Sequence, residues 1–475
     1  MTATEVVLGL DLGTTSSKAV VQDLAERQVT LVEAPTSWTS VGTGTQTTAE
    51  SLLRLAVDLL TRAVHAAQSR LGDIRVIGIG VTGLAESGVV LDAGGQPSAP
   101  VIAWFDPRGE REIALAGARE PLLPEQFARR TGLPWDSQSS LATLLWLQAN
   151  GVTLTAAHRW SSVPEWIVHS LGGRLVREPS LASRTGLVDQ ATGEVWQEGV
   201  EAAGLPTTLL PPVAFGGHCV GRLSLAGMPA ALQGAALTVA GHDHPVAAIG
   251  VGATGTDELF NSAGTADVVA RSLPGVLDDH RRELLVRSGL SAGAHVLPGT
   301  TLVLGGARGG LLLRRVLAAL GALGPGALDS LDQAALEVGE LPPGLAVSGA
   351  GPTGDDVVLR LRDDVRPAVV WAAATRYTAA ETAALLQTIE SVVGPHHRAV
   401  ASGGWTRMAS VRAAKSAVIS DLEFSPLAEP GVVGAARLAA RAAGVTESPT
   451  VPPTSTIATT STTATTDLHH ISTRP

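Results

Sequence analysis

The turn after the first apolar run places a carboxylate, a glycine and several hydroxyl groups next to one another, in residues 10–18. Apolar runs on both sides predict a hairpin bent at Gly13, which can take the positive φ of a tight turn. Backbone N–H groups and the hydroxyls of Thr14 and Thr15 would bind phosphate oxygens, and Asp11 would face a hydrated Mg²⁺. An ordinary polar hairpin turn explains the segment less well, because such turns favour Asn-Gly or Asp-Gly. The segment predicts a site for a magnesium-bound phosphate.

A second carboxylate, Asp243, follows the predicted strand 237–240 and precedes an Ala-rich segment in which Pro245 suits the first turn of a helix. One interpretation makes Asp243 the N-cap of that helix. The other makes it the base that orients and deprotonates a substrate hydroxyl during phosphoryl transfer, for which an ionised carboxylate is sufficient. The two interpretations are compatible.

Two histidines flank this carboxylate and raise the question of a metal site. His242 and His244 occupy alternating positions, which point to opposite sides in extended backbone. No cysteine or further histidine cluster supplies the remaining ligands. The sequence therefore argues against a transition-metal site at this position.

A third group of residues suits a polyol. Trp104, Asp106 and Arg108 lie within five residues of one another, and Glu86 lies just after the predicted strand 74–81. Carboxylates and guanidinium groups hydrogen-bond vicinal hydroxyls, and an indole face packs against C–H surface. The alternative is a loop salt bridge beside a core tryptophan. Residue types alone leave both interpretations open.

Three glycine-rich turns follow in the second half of the chain, at residues 262–266, 305–310 and 402–405. Glycine permits close backbone approach to phosphates or to a purine, and Gly309-Gly310 opens a predicted helix whose N-terminus favours negative charge. Together with the first turn, they predict nucleotide binding. The earlier run 78–83 matches a dinucleotide fingerprint, but a loop and a strand follow it instead of the required helix, so we discount it.

The elements that position these residues alternate between strand-like and helical periodicity, which indicates an α/β fold. Residues 51–69, for example, predict a helix with one apolar face, ahead of the strand 74–81. A Pro- and Gly-rich stretch precedes a new strand, so we place a domain boundary that gives domains 1–250 and 251–444. The second domain is predicted to repeat the order of elements in the first, with a strand that ends in a Gly-Thr turn. Residues 445–475, rich in Thr, Ser and Pro, predict a disordered tail.

The 475 residues carry 34 basic and 44 acidic side chains, a net charge of −10, with no long basic run. A nucleic-acid or anionic-membrane surface therefore has no electrostatic support, and any phosphate site must be local. No apolar run reaches the roughly 20 residues of a membrane span. The single cysteine, Cys219, excludes an intrachain disulfide, and the chain starts by entering a strand instead of a cleavable apolar segment. We therefore expect a cytoplasmic protein.

In combination, these motifs resemble the FGGY family of carbohydrate kinases, which includes xylulokinases, gluconokinases and glycerol kinases. The likeness runs from residue 5 to about residue 444 and rests on motifs in a specific order: Asp11-Leu-Gly-Thr-Thr, Glu86 after its strand, Trp104-x-Asp106-x-Arg108, Thr131-Gly132-Leu133-Pro134, Ala182-Ser183-Arg184-Thr185-Gly186, Gly241-His242-Asp243, Gly264-Thr265 and Gly403-Gly404. The family implies two actin-like, ribonuclease-H-like domains around a cleft that holds ATP and Mg²⁺. It also implies transfer of the γ-phosphoryl group to a hydroxyl of a ketose, sugar acid or polyol.

The resemblance further implies roles for individual residues. Asp243 corresponds to the catalytic base, and Asp11 to the magnesium-associated acid. The positions that hold the sugar are Glu86, Trp104, Asp106, Arg108 and His242. The positions around ATP are Gly13, Thr14, Thr15, Ser16, Lys18, Gly264, Thr265, Gly309, Gly403 and Gly404. The implied partner is a small sugar or polyol, with no nucleic acid and no membrane, and a homodimer is left open.

The chain departs from the family pattern at several places, among them Thr143 where the family usually has lysine and Leu84-Ala85-Glu86 on the first sugar-facing strand. Residues 339–375 are shortened and carry Gly351-Pro352-Thr353-Gly354 where the family has a Gly-Glu-Arg-x-Pro loop, and Ala414-Lys415 stands where the late helix commonly has Ala-Asp. The identity of the sugar therefore stays open.

Two other functions compete with a kinase. A non-catalytic nucleotide-binding protein of the actin or chaperone type would share the first turn, but it gives no reason for Asp243 or for the Trp104-x-Asp106-x-Arg108 run. A phosphatase of the same superfamily would act on water or polyphosphate. Sugar-dependent ADP release would distinguish a kinase from that phosphatase.

Overall fold

The computed structural model of the protein describes residues 3–349, 356–362 and 364–445, and the structural statements below concern those residues. The shortened loop at 351–354 and the tail after Val445 lie outside the described residues.

The strands follow the predicted alternation with helices, and the predicted strands at 74–81 and 237–240 are confirmed. The strands are β1 Thr4–Leu12, β2 Ser16–Asp23, β3 Gln28–Pro35, β4 Thr39–Val41, β5 Gly44–Thr47, β6 Ile74–Gly83, β7 Gly88–Leu91, β8 Val101–Ile102, β9 Arg159–Ser162, β10 Gly221–Arg222, β11 Ala236–His242, β12 Glu258–Ala263, β13 Asp267–Pro274, β14 Ser291–Ala294, β15 Thr300–Ala307, β16 Ala346–Ser348, β17 Val358–Arg360, β18 Arg398–Ser402 and β19 Leu422–Phe424.

The predicted helix at 51–69 is also confirmed, as the longer α1. The α-helices are α1 Ala49–Leu71, α2 Glu110–Arg119, α3 Leu122–Thr131, α4 Ser140–Ala149, α5 Val163–Ser170, α6 Pro179–Ala182, α7 Gln197–Ala202, α8 Asp243–Val251, α9 Asp279–Arg287, α10 Gly309–Ala319, α11 Pro325–Leu336, α12 Pro367–Val393, α13 Ala409–Ser416 and α14 Pro430–Ala442. Short 3₁₀ helices occupy Ala230–Leu232 and Gly404–Arg407. Among the described residues, no helix has the length and apolar character needed to cross a membrane.

Two six-stranded sheets share one internal pattern, in the orders β10-β11-β6-β1-β2-β3 and β14-β15-β13-β12-β18-β19. In the first sheet β1, β2 and β3 pair in antiparallel fashion, and β6 and β11 continue in parallel beside β1. In the second sheet β12, β13 and β15 are antiparallel, and β18 and β19 continue in parallel beside β12. The second half thus repeats the topology of the first. The boundary after residue 250 falls between the two sheets and stays a prediction, because α14 returns to the first sheet.

Helices cover both faces of the first sheet at β1. Leu8 and Leu10 belong to the apolar core that includes α1, whereas Val7 packs with α14. Side chains alternate along a strand, so Gly9 and Asp11 share the α14 face with Val7. The alternation therefore directs Asp11 toward the last helix of the described chain.

Glycines let α14 lie directly on the backbone of β1 and β6. A Cβ would lie 2.0 Å from a carbonyl oxygen of α14 at Gly9, 2.3 Å at Gly78 and 2.1 Å at Gly80. No real side chain tolerates such distances, so these positions must be glycine. The fingerprint-like run at 78–83 is thereby explained by helix packing and not by a dinucleotide.

The same helix packs closely against α8, which begins at Asp243. A Cβ on Gly250 would lie 2.0 Å from the carbonyl oxygen of Pro430, and one on Gly434 would lie 1.9 Å from the carbonyl oxygen of Val246. The α14 helix consequently fixes the position of α8 relative to the end of β1.

A buried ion pair explains the unusual Lys415 in the second half. Its Nζ donates to Asp267 Oδ2 at 2.6 Å, and Asn261 Nδ2 donates to Asp267 Oδ1 at 2.6 Å. Both charged side chains are almost fully buried, at 3% and 7% exposed. The lysine therefore neutralises an aspartate at the start of β13, next to the Gly264-Thr265 turn.

We predict that Gly80→Ala destabilises the protein strongly. The added methyl group would force α14 away from the sheet, and we expect a loss of at least about 3 kcal/mol in the free energy of unfolding, measured by urea denaturation. Gly326→Ala is the matched control, because Gly326 lies within α11 with nothing inside 4 Å of its missing Cβ. The control should unfold at the wild-type urea concentration or slightly above it. Equal stability of the two variants would contradict the packing argument.

Candidate active site

The turn between β1 and β2 is held by residues that follow β3. The carbonyl oxygen of Gly13 accepts a hydrogen bond from Thr36 Oγ1 at 2.8 Å, and that of Thr14 accepts one from Trp38 Nε1 at 2.8 Å. The hairpin is confirmed, but Gly13 does not adopt the left-handed conformation that we expected; a Cβ there would lie 2.6 Å from the carbonyl oxygen of Ser16. Because these carbonyl oxygens turn toward the protein, they do not oppose a phosphate at the turn.

Asp11, one residue before the end of β1, has one oxygen unpaired. Its Oδ1 is buried without a hydrogen-bond partner, and its Oδ2 lies 2.7 Å from the position of a Cβ on Gly431 in α14. Burial raises the pKa of Asp11 to about 7; the charge of Asp243 adds to the rise, Lys18 opposes it and Glu429 adds to it. A carboxylate that lacks a donor and senses other carboxylates suits a cation. Mg²⁺, which takes oxygen ligands and keeps its water, fits this position.

Lys18, one of the predicted ATP-binding residues, is engaged within the protein. It lies opposite Asp11 in the β1–β2 register, and its Nζ contacts Glu429 Oε2 at 2.7 Å. Glu429 immediately precedes α14. The lysine thus joins β2 to the start of α14, directly beside the unpaired carboxylate.

Asp243 is the first residue of α8. The N-cap of α8 is His242, not Asp243, and the His242 N–H donates to Ser180 Oγ at 3.0 Å. Asp243 Oδ1 accepts a hydrogen bond from the backbone N–H of His244 at 2.6 Å. Burial raises the pKa of Asp243, but His244, His242 and the hydrogen bonds outweigh burial, so the pKa lies well below its usual range. The carboxylate is therefore ionised at neutral pH.

The two flanking histidines converge on Asp243, so the prediction that they point to opposite sides was wrong. His242 Nε2 lies 3.1 Å from Asp243 Oδ1, and His244 Nε2 lies 3.8 Å from the same oxygen. The extended backbone ends at His242, and the first turn of α8 brings His244 back beside it. The three side chains form one cluster.

Glu86, a predicted sugar-binding residue, pairs with Arg184. Arg184 Nε donates to Glu86 Oε1 at 2.7 Å, and its NH1 donates to Ser291 Oγ at 2.7 Å. This pair lies close to His244 and Asp243: burial lowers the pKa of His244, and the charges of Asp243 and Glu86 oppose that change. A charged and mostly buried pair thus lies beside Asp243, and its carboxylate and guanidinium groups are of the kind that hydrogen-bond sugar hydroxyls.

Arg184 and Asp136 are site residues that sequence reasoning missed. Burial raises the pKa of Asp136, and the charges of Arg184 and Glu86 both act on it, which places all three side chains together. Arg184 lies in the motif 182–186 that carried the family resemblance, so a signal was present. Asp136 follows the Leu133-Pro134 turn, where no pattern distinguished it from a loop residue.

Trp104 connects the predicted sugar side to the predicted phosphate turn. Its Nε1 donates to Thr14 Oγ1 at 2.8 Å, and 37% of the residue is exposed. Phe105 packs edge-on against it, with ring centroids 5.7 Å apart. A half-exposed indole beside the turn suits contact with a substrate that receives phosphate.

Asp106 and Arg108 bind each other, which corresponds to the loop salt bridge that we kept as the alternative. Arg108 NH2 contacts Asp106 Oδ2 at 2.7 Å, and the Asp106 side chain has no exposed surface. The Thr45 N–H also donates to Asp106 Oδ2 at 2.5 Å, and the Arg108 guanidinium lies 4.7 Å from the ring centroid of Trp146. Both residues thus shape the loop that presents Trp104.

The predicted nucleotide residues of the second half meet at one end of its sheet. The Gly264-Thr265 turn joins β12 to β13, and α10 begins at Gly309 against this turn. A Cβ on Gly310 would lie 1.9 Å from the carbonyl oxygen of Gly264. The N-terminus of α10 thus lies on the turn, where backbone N–H groups favour negative charge.

Gly403 and Gly404 follow β18, the strand beside β12. Gly403 has φ of 120°, and a Cβ there would lie 2.4 Å from the carbonyl oxygen of Ala263. Gly404, in contrast, has nothing within 4 Å of its missing Cβ. Bare backbone next to open space is a surface on which a flat purine can lie.

Two fully buried carboxyl groups lie behind the strand end that precedes Asp243. Glu165 Oε1 accepts from the Glu178 N–H at 2.7 Å, and Glu178 Oε2 accepts from Ser180 Oγ, the same hydroxyl that receives the His242 N–H. Burial raises the pKa of each glutamate to about 8, although hydrogen bonds to both oppose the rise. These groups therefore stay protonated at neutral pH and support the strand end that carries Asp243.

Comparison with known proteins agrees with this geometry. A model of the N-terminal domain of the FGGY family of carbohydrate kinases matches residues 6–250. An L-fuculokinase of Escherichia coli strain K12 is 26% identical over 272 residues, covering 56% of this chain and 57% of that protein. The chain thus matches little more than half the length of this relative.

Solved structures show the same fold across nearly the whole chain. A xylulose kinase from Rhodospirillum rubrum has a TM-score of 0.78 at 24% identity, covering 92% of this chain and 89% of the other. A Plasmodium falciparum glycerol kinase with ADP has a TM-score of 0.82 at 17% identity, covering 94% and 91%. The predicted fold class, α/β with two actin-like domains, is confirmed.

The buried glutamates predict a pH-dependent stability. Because the pKa of Glu178 is raised to about 8, its stabilising contribution is full below pH 4.5 and is lost as the pH rises through 8. We expect the free energy of unfolding to fall between pH 5 and pH 9, and Glu178→Gln to remove a part of that fall on the order of a few kcal/mol. Urea denaturation at several pH values measures this effect. Glu201→Gln, at an exposed position, should keep the wild-type profile; identical profiles for both variants would refute the argument.

Proposed function

This chain belongs to the FGGY family of carbohydrate kinases, and we propose that it transfers the γ-phosphoryl group of ATP to a hydroxyl of a ketose, sugar acid or polyol. The observation that carries the proposal is the placement of two carboxylates at the ends of β1 and β11, the two strands that flank β6. Asp11 has an unpaired oxygen beside the hydroxyl-rich turn, and Asp243 is ionised beside the Glu86–Arg184 pair. The surroundings of Asp11 suit a metal-bound phosphate, and the surroundings of Asp243 suit a sugar.

Asp243 acts as the base in this proposal. Its carboxylate accepts a hydrogen bond from the acceptor hydroxyl, orients it and takes up its proton as the oxygen attacks the γ-phosphorus. Its low pKa keeps the carboxylate ionised at neutral pH, so no prior deprotonation is needed. His242 and His244 hold it in place.

Glu86, Arg184 and Trp104 bind the acceptor in this proposal. The carboxylate and guanidinium offer acceptors and donors for vicinal hydroxyls, and the indole covers the C–H surface of the sugar. Asp106 and Arg108, which bind each other, position Trp104. Likeness to an L-fuculokinase and to a xylulose kinase makes ketoses the first acceptors to test.

The nucleotide lies against the two glycine-rich ends of the sheets. The turn at Gly13–Ser16 and the α10 N-terminus supply N–H and O–H donors for phosphate oxygens, and Gly403-Gly404 supplies an open face for the base. Mg²⁺, when bound near Asp11, neutralises phosphate charge as it develops. We place this chemistry in the cytoplasm, with ATP and a small sugar as the partners.

An ADP-release screen tests the proposal. Glycerol, erythritol, xylulose, ribulose, fuculose and gluconate are each supplied with ATP and Mg²⁺, and we expect one acceptor to raise ADP release. Asp243→Asn should lower that rate by at least about 100-fold while ATP binding persists, because only the proton acceptor is lost. Asp73→Asn, at an exposed position just before β6 and at the opposite end of that strand from Glu86, is the matched control. Full activity of Asp243→Asn would exclude its role as base, and ADP release that no acceptor changes would indicate a phosphatase.

We further predict that Asp11→Asn raises the Mg²⁺ concentration needed for half-maximal activity by about tenfold or more, because an amide replaces the only proposed protein anion for the ion. The measurement is the rate at saturating ATP over a Mg²⁺ titration. An unchanged Mg²⁺ requirement would exclude Asp11 as the metal-associated acid.

A further inference from the structure

The cluster of His242, Asp243 and His244 has the composition of a transition-metal site. We propose that these three side chains bind a divalent metal of the zinc class, and that the bound metal inhibits phosphoryl transfer by occupying the base. The metal binding is independent of the proposed function, whereas the inhibition rests on it.

The distances in the cluster match a metal ion placed between the side chains. Around a tetrahedral zinc, ligand atoms lie roughly 3.3–3.6 Å apart. Asp243 Oδ1 lies 3.1 Å from His242 Nε2 and 3.8 Å from His244 Nε2, and one ligand atom of each residue lies within 4.8 Å of the others. Small rotations of the two rings bring all three atoms to the required separation.

The surroundings hold one ligand fixed and leave the others open. The His242 side chain is 7% exposed, and its Nδ1 is buried without a hydrogen-bond partner. Asp243 and His244 are 33% and 29% exposed. A metal bound to these three residues would keep an open coordination position for water or for a substrate oxygen, as three-ligand zinc sites do.

Ligand type separates this site from the magnesium site near Asp11. Two imidazole nitrogens and one carboxylate oxygen suit Zn²⁺, Co²⁺ or Ni²⁺, whereas Mg²⁺ prefers oxygen ligands alone. Within the described parts of the chain, no other group of three His, Cys, Asp or Glu side chains comes as close together. Excess Mg²⁺ therefore leaves the cluster free for a zinc-class ion.

Metal binding would change the chemistry of Asp243 directly. The oxygen that faces both histidines would become a metal ligand and lose its ability to accept a proton from the acceptor hydroxyl. Because a ligating nitrogen must be unprotonated, a neutral His242 bound through Nε2 would carry its ring proton on Nδ1. Inhibition follows from the loss of the base and not from blocked ATP binding.

Direct binding of Zn²⁺ tests the site without sugar or ATP. The full chain is titrated with Zn²⁺ in excess Mg²⁺, in competition with a chromophoric chelator. Wild type should bind one Zn²⁺ in the cluster, and His244→Gln should weaken that binding at least about tenfold. His280→Gln, at an exposed histidine outside the cluster, should bind as wild type does. Equal binding by His244→Gln and wild type, or no binding by wild type, would overturn the proposal.

Two further measurements distinguish failure of the metal site from failure of the inhibition and from failure of the proposed kinase function. Co²⁺ added to wild type should give a visible absorption band that His244→Gln lacks, while circular dichroism shows that the variant is folded; a band of equal intensity in both overturns the site. Zn²⁺ should inhibit the wild-type kinase, and the half-inhibitory concentration should rise at least about tenfold in His244→Gln, each rate normalised to its own uninhibited value. Binding without inhibition overturns the inhibitory part alone, and absence of any acceptor refutes the proposed function while the binding result stands.

Discussion

The contact between α14 and the backbone of β1 and β6 is the constraint on which the site depends. Glycine at positions 9, 78 and 80 allows the helix to lie on the sheet without intervening side chains. The same helix meets α8 through Gly250 and Gly434. Because Asp11 lies near the end of β1 and Asp243 begins α8, one helix fixes both carboxylates. A shift of α14 would therefore change the site even though α14 supplies none of its proposed catalytic groups.

The two sheets have the same topology, but their ends carry different chemistry. Strand ends of the first sheet carry Asp11 and Asp243, together with the Glu86–Arg184 pair. The corresponding turns of the second sheet carry glycines. At Gly310 and Gly403 a neighbouring backbone carbonyl lies where a side chain would otherwise be. In the proposed function, the carboxylates bind a metal and a hydroxyl, whereas the glycine backbones contact phosphate and purine. One topology would thus supply both halves of the proposed phosphoryl-transfer site.

Sequence reasoning recovered the parts of this site that are local in the chain. The β1–β2 hairpin, the turns at 262–266 and 402–405 and the strand before Asp243 each follow from a run of neighbouring residues, and the structure contains them. The predicted turn at 305–310 is shorter than expected, because Gly305 and Gly306 lie in β15 and Gly309 begins α10. The Glu86–Arg184 pair could not be found in this way, because its partners are 98 positions apart. The predicted orientation of His244 was wrong, because the orientation depends on the residue at which a strand becomes a helix. Pattern reasoning is least accurate at such boundaries.

The charge states of the buried carboxyl groups show how the environment assigns their roles. Asp243 receives the His244 N–H and faces two imidazoles, and these interactions outweigh burial and lower its pKa. Glu178, one hydroxyl away through Ser180, keeps an oxygen without a partner, so burial prevails and its pKa rises to about 8. A protonated glutamate adds no negative charge behind Asp243, the proposed base. Asp243 can therefore stay anionic, and the strand end that positions it gains a hydrogen-bonded support without an added charge.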